Sequence, residues 1–231
     1  MGLINYDPPL VDIHPIWRLG LALEPIAVSA TIFVTMTALG LLLVHDWRVS
    51  IGLLAAQYVG VFALVAMEWP ITMAVVKLIT GWIAGTVLSM AVLSTPEVRD
   101  DVNLIQANHD QIISQDTDLP SSRIFYLLAV VLVCLAVITQ ALQMQPSLPD
   151  LPTEQVWGSL ILIGLGLFKL GFSSKPLPIL LGLLTVFAGF EILYANLDSA
   201  PLTAGLLAGV NLALSLGGAY LLLAPHMEEN E

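Results

Sequence analysis

Seven long stretches of this chain carry almost no charge: Pro25–Val44, Val49–Met67, Pro70–Leu93, Ile124–Leu142, Val156–Phe172, Pro176–Ala195 and Leu202–Ala224. A helix rises 1.5 Å per residue, so crossing a ~30 Å hydrocarbon core takes about 20 apolar residues. Backbone groups in lipid must find their partners within a helix or a closed barrel. These runs are too long and too evenly apolar for barrel strands, which alternate and last about ten residues. The sequence therefore predicts an all-α fold, a polytopic integral membrane bundle of about seven transmembrane helices. Composition agrees: 11% of residues are charged and 57% hydrophobic, against about 25% charged in a soluble domain.

The breaks between runs are legible. Glu68-Trp69-Pro70 separates the second and third, Asn196 to Pro201 separates the sixth and seventh, and Lys175-Pro176 opens the sixth. Proline suits the first turn of a helix, where no amide donor is needed. The expected organisation is an N-terminal interfacial segment at 1–24, spans one to three at 25–93, an acidic cytoplasmic loop at 94–123, spans four to seven at 124–224, and an acidic tail at 225–231. Residues Leu10–Glu24 mix apolar and charged side chains, as in a short in-plane amphipathic helix. Val98–Ile113 reads equally as a surface helix or a solvated acidic linker. Met1 to Pro9 lack the basic start and apolar stretch of a signal peptide, so insertion is expected to use the first spanning helix.

Lys and Arg are distributed unevenly. Arg48, Arg99, Arg123, Lys169 and Lys175 follow spans one, three and five, the loops after two, four and six have none, and Arg18 stands alone near the N-terminus. The positive-inside rule puts the N-terminus outside and the C-terminus in the cytoplasm, in a multi-pass protein of the cell membrane. The fifth span is the weakest, with Lys169 near its end, where a lysine can snorkel to the headgroups. Were it not to span, the tail would change sides. The net charge of −11 argues against nucleic acid as a partner, since phosphate binding needs clustered Lys and Arg. The one cysteine, Cys134, lies in an apolar run, permits no internal disulfide and reads as a packing residue.

Charges at bilayer depth cost at least about 2.5 kcal/mol and usually face a cavity or a partner. Two stand out. Glu191 lies in Gly189-Phe190-Glu191-Ile192 of the sixth span, and Lys77 lies a third of the way into the third. Glu191 reads either as a proton-relay carboxylate or as a structural acid held by Tyr194 or Asn196. Lys77 reads either as a proton carrier or as one half of a pairing with a carboxylate, from this chain or another subunit. Gln57, Gln140 and Asn211 add uncharged groups that more often make interhelical hydrogen bonds than bind ligands. His14, His45, His109 and His226 are scattered, without metal or haem spacing. Phosphate loops, dinucleotide fingerprints and nucleophile elbows are absent. No cofactor is expected, and nothing argues for catalysis by the chain alone.

The two halves echo each other. Arg48 precedes Gly52 by four residues and Gln57 follows five later; Lys175 precedes Gly182 by seven and Phe187 follows five later. Each triple ends in a glycine-rich span, with Gly81 and Gly85 in one and Gly205, Gly209, Gly217 and Gly218 in the other. Both triples would start outside, which makes any duplication parallel, and repeat proteins often place function where repeats meet. The GxxxG pairs Gly81/Gly85 and Gly205/Gly209 are first a signal for close helix approach.

At Trp47-Arg48-Val49-Ser50-Ile51-Gly52, Ala56-Gln57 and Lys77-Leu78, the chain resembles the component E subunit of hydrogenase-4-type membrane complexes. Its last three spans look like the K-type small subunit of NADH-quinone oxidoreductase and the C-type small subunit of the multi-subunit sodium/proton antiporters, on Lys175-Pro176, Gly182 and Gly189-Phe190-Glu191-Ile192. Aligned on Gly182, the family glutamate falls near Phe187, so Glu191 stands one helical turn later on the same face. Asn211 stands where a second membrane glutamate is expected, and the Arg-Asn pair at the span entry is missing. The resemblance implies a small membrane-arm subunit of a proton- or cation-translocating complex, beside larger antiporter-like subunits. It would contribute Glu191, Lys77, Gln57 and Asn211 to a proton path. The residues alone leave open a non-catalytic scaffold subunit, or a small stand-alone transporter.

Overall fold

The computed structural model describes residues 14–44, 46–95, 120–144, 152–197 and 200–227. All secondary structure among them is helical: α1 (His14–Leu43), α2 (Trp47–Val65), α3 (Ile71–Leu93), α4 (Pro120–Met144), α5 (Thr153–Phe172), α6 (Pro176–Ala195) and α7 (Pro201–Met227). Within these residues, six stretches are long and apolar enough to cross a membrane: Ile26–Leu43, α2, α3, α5, α6 and Pro201–Pro225. α4 holds a shorter apolar run at Val130–Gln140. The loop 96–119, with its expected surface helix, and the tail from 228 lie outside the described residues.

Local chemistry sets the ends. The Asp46 carboxylate accepts from the Arg48 amide at 2.9 Å and caps α2, which therefore starts before the apolar run does. Pro70 stands at the N-cap of α3, Pro176 at the first turn of α6 and Pro201 at the start of α7. The Thr153-Glu154-Gln155 turn lengthens the fifth segment to a full spanning helix. α1 begins at His14 and takes in most of the 10–24 segment as a continuation of the first span.

The helices form two rows, α1-α2-α3 and α5-α6-α7, with each helix touching its counterpart: α1 on α5, α2 on α6, α3 on α7. α1 and α5 run parallel. Thr31 Oγ1, midway along α1, donates to the Glu154 carbonyl at the start of α5 at 3.0 Å, and the Lys169 ammonium near the end of α5 donates to the Leu41 carbonyl near the end of α1. α4 lies outside the rows, against α5, with Cys134 half-buried among the packed side chains.

The tightest seam joins α5 and α6. A Cβ on Gly189 would stand 2.7 Å from the Ser159 carbonyl oxygen, and one on Gly166 2.9 Å from the Gly182 carbonyl. The GxxxG expectation divides. Gly81 lies under the Tyr58 ring, whereas Gly205 and Gly209 meet nothing within 4 Å and are exposed. Outward-facing Met36, Ile79, Met90, Leu132, Leu202 and Leu206 are all at least half exposed. Such a surface needs lipid or a partner to cover it.

Candidate functional site

α2, α3, α7 and α6 enclose a square, each in contact with the next. Both diagonals of this square are hydrogen-bonded. Lys77 of α3 reaches Glu191 of α6, Nζ to Oε1 at 2.5 Å, with both side chains at most 1% exposed. Tyr58 of α2 donates its hydroxyl to Asn211 Oδ1 of α7 at 2.9 Å. Gln57, next to Tyr58, is fully buried. The Tyr58 hydroxyl and the Glu191 carboxylate are close enough to interact electrostatically, so the two diagonals form one polar cluster.

Helix register explains the meeting. Lys77 lies about 9 Å from the start of α3 and Glu191 about 6 Å from the end of α6, at 1.5 Å per residue. With the two helices antiparallel, both reach the same level. Gly81 lies one turn beyond Lys77 on the same face and leaves the space that the Tyr58 ring occupies. Without that space, Tyr58 could not lie flat between α2 and α3 with its hydroxyl at Asn211.

Several polar atoms of the cluster have no hydrogen-bond partner in the protein: Gln57 Nε2 and Oε1, Glu191 Oε2 and Asn211 Nδ2. Buried polar groups are nearly always paired, with protein or with ordered water. These atoms are carried by α2, α6 and α7, and a buried polar atom without a protein partner is one that an ordered water can satisfy.

No family model, curated protein or solved structure matches this chain.

All four residues singled out in the sequence, Lys77, Glu191, Gln57 and Asn211, lie in or beside this junction. Their companions differ from the expectation. Tyr194 and Asn196 do not hold Glu191: Asn196 Nδ2 donates to its own helix, to the Ile192 carbonyl at 3.1 Å. Gln140 is exposed on α4 and takes no part. Lys169 does not snorkel outward; it is 7% exposed and its ammonium turns to the end of α1. Sequence reading missed Tyr58, because a tyrosine in an apolar run looks like any large packing residue. Its one sequence signal is the adjacent Gln57. Among the described residues no three His, Cys, Asp or Glu side chains converge as metal ligands would. The junction instead combines an acid, an amine, a phenol and two amides, a set able to hold, donate and accept protons.

Proposed function

We propose that the chain is a small membrane-arm subunit of a proton- or cation-translocating complex of the respiratory, hydrogenase or antiporter type. Its junction serves as one hand-over point in a proton path. The observation that carries this reading is the Lys77–Glu191 pair, buried within two helices long and apolar enough to span, with unpaired polar atoms on Gln57 and Asn211 of the adjoining helices. Ionisable residues inside membranes are costly and commonly mark such paths. Water satisfying the unpaired atoms would connect Glu191 to Tyr58, Asn211 and Gln57. The resemblance to hydrogenase-4 component E and to the K-type and C-type small subunits adds the context of larger antiporter-like neighbours. In this reading α4 is a seventh span, the N-terminus lies outside, the C-terminus lies in the cytoplasm, and the cell membrane is the site of action.

A second reading follows from the opposite charges of the pair. Glu191 and Lys77 neutralise one another within the chain, as a pairing that only fixes helix positions would. The chain is then a structural subunit of a membrane complex.

Exchanging the two charges separates the readings. Lys77→Glu with Glu191→Lys keeps an ion pair in the same place but moves the acid to another helix. Membrane vesicles from cells carrying this pair, and from cells carrying Glu191→Gln, are tested for proton uptake and for assembly by gentle-detergent pull-down with mass spectrometry. A relay predicts companions retained and coupled proton movement lost. Normal coupling in every assembled variant would sink the relay and leave the structural role.

A further inference from the structure

At the opposite end of the bundle from this junction, the ends of α1 and α5 meet the starts of α2 and α6 around a cavity of about 250 Å³. Its lining includes Ser50, Lys169, Ser173, Ser174 and Lys175, with Trp47 at its edge. No carboxylate is among the lining residues. The nearby Asp46 is engaged in capping α2.

Lys169 gives the cavity its character. Its side chain is more than nine-tenths buried, yet no carboxylate neutralises it among the described residues. Its ammonium has three donors, and the Leu41 carbonyl accepts one. A buried charge without a counter-charge is costly. Lys175, at the N-cap of α6, adds a second positive charge, and in the first turn of α6, where Pro176 and Pro178 have no amide hydrogen, Leu177 supplies an amide donor on the same side. The hydroxyls of Ser173 and Ser174 are further donors.

We propose that this cavity binds a phosphate group, held by Lys169 and Lys175 with the serines of the α5–α6 turn. Lys169 would give its remaining donors to the phosphate oxygens and so gain the counter-charge that none of the described residues provides. The position at helix ends, with Trp47 at headgroup level, fits the headgroup of an anionic phospholipid. A free phosphate offers the same chemistry from the aqueous side.

The test uses the full-length protein in mild detergent. Native mass spectrometry follows the binding of added phosphatidylglycerol, with phosphatidylcholine as the neutral reference, and thermal unfolding is followed with and without inorganic phosphate. Phosphatidylglycerol should bind in preference to phosphatidylcholine. Lys175→Gln should weaken it about fivefold, the effect of one lysine near an anionic surface, and Lys169→Gln should weaken it further. Arg48→Gln removes a charge at the same end that does not line the cavity, and should leave binding unchanged. If Lys169→Gln fails to fold, Lys175→Gln and Lys175→Glu decide. Stabilisation by inorganic phosphate, lost in Lys175→Gln, would uphold the site and assign a soluble source. Equal binding of both lipids with no effect of phosphate would overturn it, as would an equal loss in Arg48→Gln and Lys175→Gln, the sign of diffuse attraction.

Discussion

Lys77 and Glu191 lie 114 positions apart in the chain and touch at 2.5 Å across the diagonal of a four-helix square, with both side chains out of reach of solvent. Their contact ties the first row of helices to the second. The same square is crossed by Tyr58 and Asn211, so each diagonal buttresses the other.

Removing one charge of the pair strands the other. Glu191→Gln and Lys77→Met should each destabilise the protein by about 3–5 kcal/mol, whereas the combined Lys77→Met/Glu191→Gln variant should approach the parent. Denaturant titration in detergent of all four proteins gives the interaction energy as a double-mutant cycle. Additive losses would show that the two groups do not depend on each other.

Gly81 holds Tyr58 in place, so the two positions should act together. Tyr58→Phe removes one buried hydrogen bond and strands Asn211 Oδ1, at about 1–3 kcal/mol. Gly81→Ala puts a methyl into the Tyr58 ring and should cost about the same by displacing it. Once Tyr58→Phe has removed the hydroxyl, adding Gly81→Ala should cost less than it does alone. Equal costs in both backgrounds would mean that Gly81 does not position the hydroxyl.

The α5–α6 seam should be intolerant of bulk. Gly189→Val faces backbone at 2.7 Å, an overpacking expected to cost about 1–3 kcal/mol or more. Gly205→Val, with nothing within 4 Å, should stay within about 0.5 kcal/mol of the parent. Thermal unfolding of both variants in detergent gives the comparison, and similar losses would contradict the seam.

Orientation is open to chemical labelling. In a Cys134→Ser background, Lys175→Cys should react with a membrane-impermeant maleimide only after the cytoplasmic side is opened. Glu68→Cys, in the turn between α2 and α3, should react in intact cells. The reverse pattern would invert the proposed topology.

Helix content and ends were legible in the sequence because lipid imposes a length and a hydropathy on every crossing. α6 occupies the expected residues Pro176–Ala195, and α3 begins at the proline break at Pro70. Lys77 and Glu191 were legible as anomalies for the same reason, since a charge in an apolar run is expensive. What each anomaly touches was not. Lipid tails are as apolar as leucine, so hydropathy does not distinguish a lipid-facing side from a buried one. Gly81 and Gly205 both head GxxxG pairs, yet one packs on a ring and the other meets nothing. Gln57 and Gln140 look alike in sequence, yet one is buried and the other exposed. Sequence alone thus determined that this chain is a bundle of apolar helices with a misplaced acid and base. Only the tertiary structure decided that the two meet, with Tyr58 and Asn211 beside them, because helix adjacency depends on the three-dimensional fit of small and large side chains between helices.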